Sequence, residues 1–498
     1  MTSSIWTAIR RHLPYVSAAI LGSFLIFRFL GPIRVGNEWI PRSIESMSVS
    51  GASVSASQTA ALRKLPGLSR VSFNYCTIED AMFPGAEEIT FTNCTFLPGA
   101  FKDEPLSARE ITIENPEGID DYSFLEKCAD LTSLTLISAG LSDASAPDLT
   151  ESSVTEYQLT DNPLLTDISW ISPDTVSLIC AHCGVTSLDT CADFTSLETL
   201  VFDGCPVKKV TKPFHSVYMK TLSMRGAGLT DCSGFSSFSI LENADVSYNQ
   251  FDTPGDLPFL TQSAQTLTHL DISGVPLSEK EVNELLAPMN NLERLYADDL
   301  ALTDLSFAEE KPQLRDLTAI HSGLSDISAL EKVPLLRRVR LSFNNIEDIS
   351  VFDGKTSFDL AKNPYRYDST LIDLAGNQIT DISPLLSMKA GTIILLDNPL
   401  DFTELPSDPD TAMADNLLFS YTEGLEDAPL GRPLSDRLFI SGFPLNKQVA
   451  LENAFGAYLS LFETDIELLQ EYNELKKTDE NGNYYEKADF SLWEDMLS

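Results

Sequence analysis

Apolar residues return along the middle of the chain in one fixed order. LRDLTAIHSGLSDISAL starts at Leu314 and LRRVRLSFNNIEDISVF starts at Leu336, one frame of 22 residues later, and both fit L-x-x-L-x-L-x-x-N-x-L. The alternation inside L-x-L is that of a short strand with one face turned inward. The residue in the N place turns the chain out of the strand, and an Asn amide there can satisfy backbone groups that the turn would otherwise bury unpaired. That place recurs at Ala52, Cys76, Cys94, Pro116, Ala139, Asn162, Cys183, Cys205, Ala227, Asn249, Val275, Leu300, Ser322, Asn344, Asn363, Asn377 and Asn398, mostly in steps of 21 to 23. Such a period predicts about sixteen stacked coils whose strands pair in parallel, each coil resting only on its neighbours.

The segment after the N place repeats as well: Leu-Thr-Asp-Ile-Ser at 165–169, Leu-Ser-Asp-Ile-Ser at 324–328, Ile-Glu-Asp-Ile-Ser at 346–350 and Ile-Thr-Asp-Ile-Ser-Pro-Leu at 379–385. On this combined strand-and-return motif the chain resembles the leucine-rich-repeat superfamily, in particular its 22-residue internalin-like class. The resemblance covers about 44 to 400. It implies an α/β fold: a right-handed solenoid with parallel strands on a concave face and mostly 3₁₀ or extended returns. It also implies a protein displayed on a bacterial envelope, Gram-positive in type, that binds and does not catalyse. The sequence departs from the class in its Cys and Ala residues at the N place, in longer steps at 249–275 and 275–300, and in a step of only 14 at 363–377. No wall-sorting signal follows the repeats.

Both ends break the pattern. Residues 13–33, LPYVSAAILGSFLIFRFLGPI, are apolar apart from small or hydroxyl residues and Arg28, and as a helix they would span about 30 Å. Bulky residues and Arg34 follow where a cleaved signal would need small ones, so a retained signal anchor is expected: a short cytoplasmic tail at 1–12, one transmembrane helix, and the solenoid outside the cell membrane. Within the repeats, 266–291 reads as an inserted helix, with Ser278 and Glu281 forming a capping box before Val282, Leu285 and Leu286. Residues 401–498 read as degenerate repeats and a helical cap, the helices falling in 440–477.

Composition narrows the function. With 73 Asp and Glu against 34 Lys and Arg the net charge is −39, which repels nucleic acid. Eight cysteines lie between Cys76 and Cys232. Cys180-Ala-His-Cys183, near Cys191 and Cys205, has the spacing of a zinc pair, but the repeat phase puts Cys180 inward and Cys183 in the N place, where a thiol serves as a small buried residue. Free structural thiols are expected. Asp479, Asn481 and Asn483 imitate a calcium loop, yet Tyr484 stands where Gly is needed and Phe490 where Glu is. Five histidines and no nucleophile or phosphate-loop motif nominate neither catalytic residues, metal nor cofactor.

The outward strand residues remain as the working surface. In the central repeats these are Asp203, Arg225, Asp245, Tyr248, Asp271, Tyr296, Asp298, Asp299, His321, Arg340 and Phe343, a mixture of aromatic and charged groups suited to an interface. The earlier strands offer Ser, Thr and Asn. The expectation is a membrane-anchored module that recognises a protein or glycan through its concave face. The alternatives are a structural scaffold of an envelope complex and an enzyme with its site in 401–498.

Overall fold

The computed structural model describes residues 33–35, 38–41, 43–65, 67–83, 85–101, 107–251, 257–358, 370–385, 390–395, 398–400, 414–420 and 438–441. Residues 13–32 of the expected anchor, 442–477 of the expected helices and the loop at 479–490 lie outside these residues, while Ile33 begins one strand and Ile440 and Ser441 end another. Among the described residues no helix is long and apolar enough to cross a membrane.

The chain divides into two compact units, Met1–Val207 with Phe214–Tyr218, and Lys208–Pro213 with Met219–Ser498. In the first unit β1 (Ile33–Val35) and β2 (Glu38–Ile40) pair antiparallel. There follow β3 (Ser46–Ser50), β4 (Ser53–Val54), β5 (Arg70–Asn74), β6 (Thr77–Ile78), β7 (Glu88–Thr92), β8 (Thr95–Phe96), β9 (Glu110–Glu114), β10 (Ser133–Ile137), β11 (Glu156–Gln158), β12 (Ser177–Ile179) and β13 (Thr199–Val201). The two-residue strands β4, β6 and β8 form a small parallel sheet, and the others pair in parallel, each with the next. The second unit repeats the arrangement with β14 (Thr221–Ser223), β15 (Asn243–Asp245), β16 (His269–Asp271), β17 (Arg294–Tyr296), β18 (Asp316–Thr318), β19 (Arg338–Arg340), β20 (Leu371–Asp373), β21 (Ala390–Leu395), β22 (Ala414–Ser420) and β23 (Leu438–Ser441).

Side chains alternate across each strand, so in the rungs from β3 to β20 the inward residues, mostly Leu, Ile, Val, Ala or Phe with Tyr157 in β11, are buried. Leu134, Leu178, Leu200, Leu295 and Val339 are fully buried at this position. Removing such a surface from water supplies about 1.5–3 kcal/mol per side chain. Rungs follow one another through backbone amides that no helix or hairpin would satisfy.

The N place ties successive coils together. Asn344 Nδ2 donates to Ala319 O (2.8 Å) in the preceding repeat and to Leu341 O (3.0 Å) in its own, while its Oδ1 accepts from Ser322 N and Leu324 N (both 3.0 Å). Asn162 and Asn249 make the same pattern. Where the place is Cys, the bonds thin out: Cys183 Sγ donates to Leu159 O (2.8 Å), Cys205 Sγ donates to Cys180 O (2.8 Å) and accepts from Cys183 N (3.3 Å). None of the eight cysteines forms a disulfide, and all are buried. Burial pushes the Cys94 thiol up to about 11 and that of Cys128 to about 12, which keeps both protonated.

The Asp-Ile-Ser return also has a physical cause. The carboxylate accepts from the backbone N–H two residues on, as in Asp304 to Ser306, Asp326 to Ser328, Asp348 to Ser350 and Asp381 to Ser383, each 2.8 Å. These bonds start the 3₁₀ turns Ser306–Glu310, Ser328–Lys332, Ser350–Phe352 and Ser383–Leu385. Serine bonding holds the Asp326 carboxyl below its usual range.

One expectation is corrected. Residues 266–291 are not one helix: β16 lies inside them, and helix is confined there to Glu279–Leu286, whose Ser278–Glu281 capping box is formed as read (Ser278 N to Glu281 Oε2, 2.8 Å). Asn363 lies outside the described residues; β19 pairs directly with β20, and Asn377 Nδ2 reaches back to Leu341 O (2.9 Å). A further helix at Ala56–Leu62, capped by Ser55 and Gln58, was hidden inside the first repeat.

Candidate functional site

The residue immediately before the N place adopts the left-handed backbone conformation in rung after rung. In the first unit Tyr75, Asn93, Asn115, Ser138, Asp161 and His182 have φ between 45° and 59°. In the second unit Tyr248, Asp299, His321 and Phe343 have φ of 54°, 55°, 50° and 56°, and Gly226, Gly274 and Gly376 fill the same place in other rungs. For an L residue other than Asn, Asp or Gly this costs roughly 1–2 kcal/mol. Strand and left-handed turn therefore form one unit that recurs along the described coils, parallel to the one before, with a side-chain amide joining coils where the N place is Asn. Both units have a parallel-strand solenoid fold of the leucine-rich-repeat-like kind.

No protein-family profile matches the chain, and no curated protein matches it. Among solved structures the solenoids are similar to an internalin of Listeria monocytogenes, with 17% identity over 73% of this chain and 85% of that one at a TM-score of 0.35. They are similar also to internalin C2 of the same organism (21% identity, 39% of this chain and 77% of that one, TM-score 0.32) and to a leucine-rich-repeat protein of Leptospira interrogans (14%, 72% and 86%, TM-score 0.44).

Of the eleven residues expected on the working face, Asp203 belongs to the first solenoid, where it ends the outward row of β13, half-buried. The other ten lie in the second. Asp245, Asp271, Tyr296 and Arg340 are outward residues in consecutive or near-consecutive rungs, with Asp245 in register with Asp271 and Asp271 with Tyr296. Arg225 and Asp298 sit two residues further along their rungs. Tyr248, Asp299, His321 and Phe343 are not strand residues; they occupy the left-handed turn, so they form a second row beside the strand face.

That row is physically continuous. The Arg225 guanidinium lies over the Tyr248 ring, 5.4 Å from its centre. The Tyr248 hydroxyl donates to Asp299 Oδ2 (3.2 Å), skipping the Gly274 rung. Asp299 Oδ1 stands 3.7 Å from His321 Nδ1, and the His321 and Phe343 rings are 4.8 Å apart. Gly274 explains how Tyr248 spans two rungs: a Cβ there would come within 2.6 Å of Tyr248 Cδ1. Gly376 does the same for Phe343, where a Cβ would meet Cδ1 at 2.5 Å. In the first solenoid His182 over Gly204 repeats the device. Each ring is seated on the glycine of the following rung.

Beside this row the carboxylates crowd. Burial first, then the Asp245 and Asp298 charges, raise Asp271 to about 7, although its Oδ1 accepts from Ser273 N (2.9 Å). Asp245 Oδ1 holds Ser247 N (2.9 Å) and Oγ (2.6 Å). Burial likewise raises Asp298 and the phenols of Tyr248 and Tyr296. One column nearer the strand starts, Asp316 gathers three arginines: Arg338 Nη2 at 2.6 Å, Arg294 Nε at 3.3 Å and Arg337 Nε at 3.6 Å. Sequence reading missed this column, though the same L-x-L frame marks it as the position before the first leucine. It also passed over Gly274 and Gly376, whose signal was a glycine one repeat after an aromatic.

Among the described residues no three His, Cys, Asp or Glu side chains are arranged to hold a metal ion. The second solenoid holds aromatic faces, paired charges and buried carboxyls in fixed positions.

Proposed function

We propose that the chain is a membrane-anchored binding module whose second solenoid recognises a protein partner through the strand face and the Arg225–Tyr248–Asp299–His321–Phe343 row. The observation that carries the reading is the seating of Tyr248 and Phe343 on Gly274 and Gly376. Large rings are held in a costly backbone conformation and stay accessible, Tyr248 at 44% exposure. Anchors fixed before binding lose little entropy on contact, and Tyr and Arg are the residue types on which interface energy concentrates. Residues 13–33 supply the tether, with the solenoids on the outer side of the membrane. A scaffold of an envelope complex is the competing reading; it would use surfaces other than this row.

The test is a pull-down from envelope extracts, identification of the captured protein, and titration of that purified protein against wild type and a Tyr248→Gly, Phe343→Gly chain. Glycine suits the left-handed conformation, so lost binding cannot be charged to backbone strain. The expected outcome is at least tenfold weaker binding, about 1.4 kcal/mol, with the melting temperature unchanged or raised. Equal affinity of the two chains would move the scaffold reading ahead.

A further inference from the structure

The first solenoid presents a second surface of different chemistry. Across β3, β5 and β7 the outward residues fall into three rows by strand register: Ser46, Arg70 and Glu88; Ser48, Ser72 and Thr90; Ser50, Asn74 and Thr92. Neighbours within a row are about 4.8 Å apart and rows about 7 Å apart. Six of the nine side chains are hydroxyls. The two charges cancel, with Arg70 Nε 3.0 Å from Glu88 Oε1. In a chain of net charge −39 this is a neutral patch able both to donate and to accept. A cavity of about 280 Å³ opens over the first two rows, close to the lower bound of small-ligand sites.

Tyr75 follows the middle strand, in its left-handed turn. It holds φ 52° and is 66% exposed. The following rung carries Asn93, not a glycine, so the ring lacks the seat that Tyr248 and Phe343 have. The left-handed turn itself belongs to the coil, which repeats it at this place in rung after rung, so what sets Tyr75 apart is a large ring left open to solvent. An aromatic face beside hydroxyls is complementary to a sugar ring, whose C–H face stacks and whose hydroxyls both give and take hydrogen bonds. An anionic ligand is disfavoured because Glu88 already occupies Arg70, and a protein partner would find no apolar anchor here beyond Tyr75.

The geometry points to a binding site for a neutral glycan chain on β3, β5 and β7, with Tyr75 as its stacking platform. This site is independent of the row in the second solenoid. The experiment uses the full chain with cellotetraose, chitotetraose, maltotetraose and mannotetraose, and tetragalacturonate as the acidic control, read by saturation-transfer NMR and calorimetry. At least one neutral sugar is expected to bind. Tyr75→Asn and the double change Ser72→Ala, Thr90→Val are each expected to weaken it roughly tenfold, the loss of one or two hydrogen bonds or a stacked ring. Asn tolerates the left-handed turn, so Tyr75→Asn should melt no lower than wild type. Tyr248→Gly with Phe343→Gly should leave sugar binding intact, which separates this site from the protein-binding reading. Binding of no neutral sugar, preference for the acidic control, or unchanged affinity in the Tyr75→Asn chain overturns the assignment; so does loss of the protein partner, and not of sugar, in that variant.

Discussion

Glycine serves two purposes at the left-handed position, and they are separable by mutation. At Gly226, φ is 58° and a Cβ would meet nothing within 4 Å. At Gly274, φ is 60° and a Cβ would strike the Tyr248 ring. Gly226→Ala should therefore cost only backbone strain, about 1–2 kcal/mol. Gly274→Ala should cost roughly 1–3 kcal/mol more from overpacking, and most of that excess should vanish in a Tyr248→Gly background. Thermal melts of the four chains test this coupling, and an equal cost at both glycines would mean the ring is not seated. None of this was readable from residue types. Tyr248, His321 and Phe343 look like strand residues because the sign of φ is set by the coil geometry, and only their shared offset from the N place betrays the turn.

Whole elements were far more legible. A strand whose inward residue repeats every 22 positions can be placed without knowing any contact, because one misplaced residue would turn its apolar set outward. The Asp-Ile-Ser returns and the Ser278–Glu281 cap were visible for the same reason: their bonds are local. The helix at Ala56–Leu62 carries the same local signal in Ser55 and Gln58 but no lengthened repeat to draw attention to it, whereas the direct pairing of β19 with β20 depends on which strands meet across a gap. The ladder itself makes a graded prediction. Asn344→Ala deletes an amide with five bonding partners and leaves Ser322 N and Leu324 N buried, costing about 3 kcal/mol. Cys183→Ala removes weaker sulfur bonds and should cost about 1 kcal/mol. Similar losses at both sites, measured by denaturant unfolding, would show that the amides are not what joins the coils.

At the scale of the whole molecule, acidity couples stability to pH. The folded state raises Asp271 to about 7, above an unfolded value near 4, so its contribution favours the fold at low pH and is lost as pH rises from about 4 through 7. Asp298 and Asp373, both raised by burial, act in the same direction. Asp271→Asn should accordingly stabilise the chain at pH 8 by roughly 1–3 kcal/mol and by much less at pH 4. Calorimetry at the two pH values checks the sign; a gain that does not change with pH would assign the effect to something other than the carboxyl proton.

The buried thiols give the molecule a chemical clock. Seven of the eight, from Cys76 to Cys205, lie in the first unit, and only Cys232 lies in the second. None is exposed in the closed coils. An alkylating reagent can reach them only when rungs part, so the rate at which native protein gains mass counts openings of the first unit almost alone. A glycan clamped across β3, β5 and β7 would slow that clock at Cys76 and Cys94, the two cysteines that close those rungs.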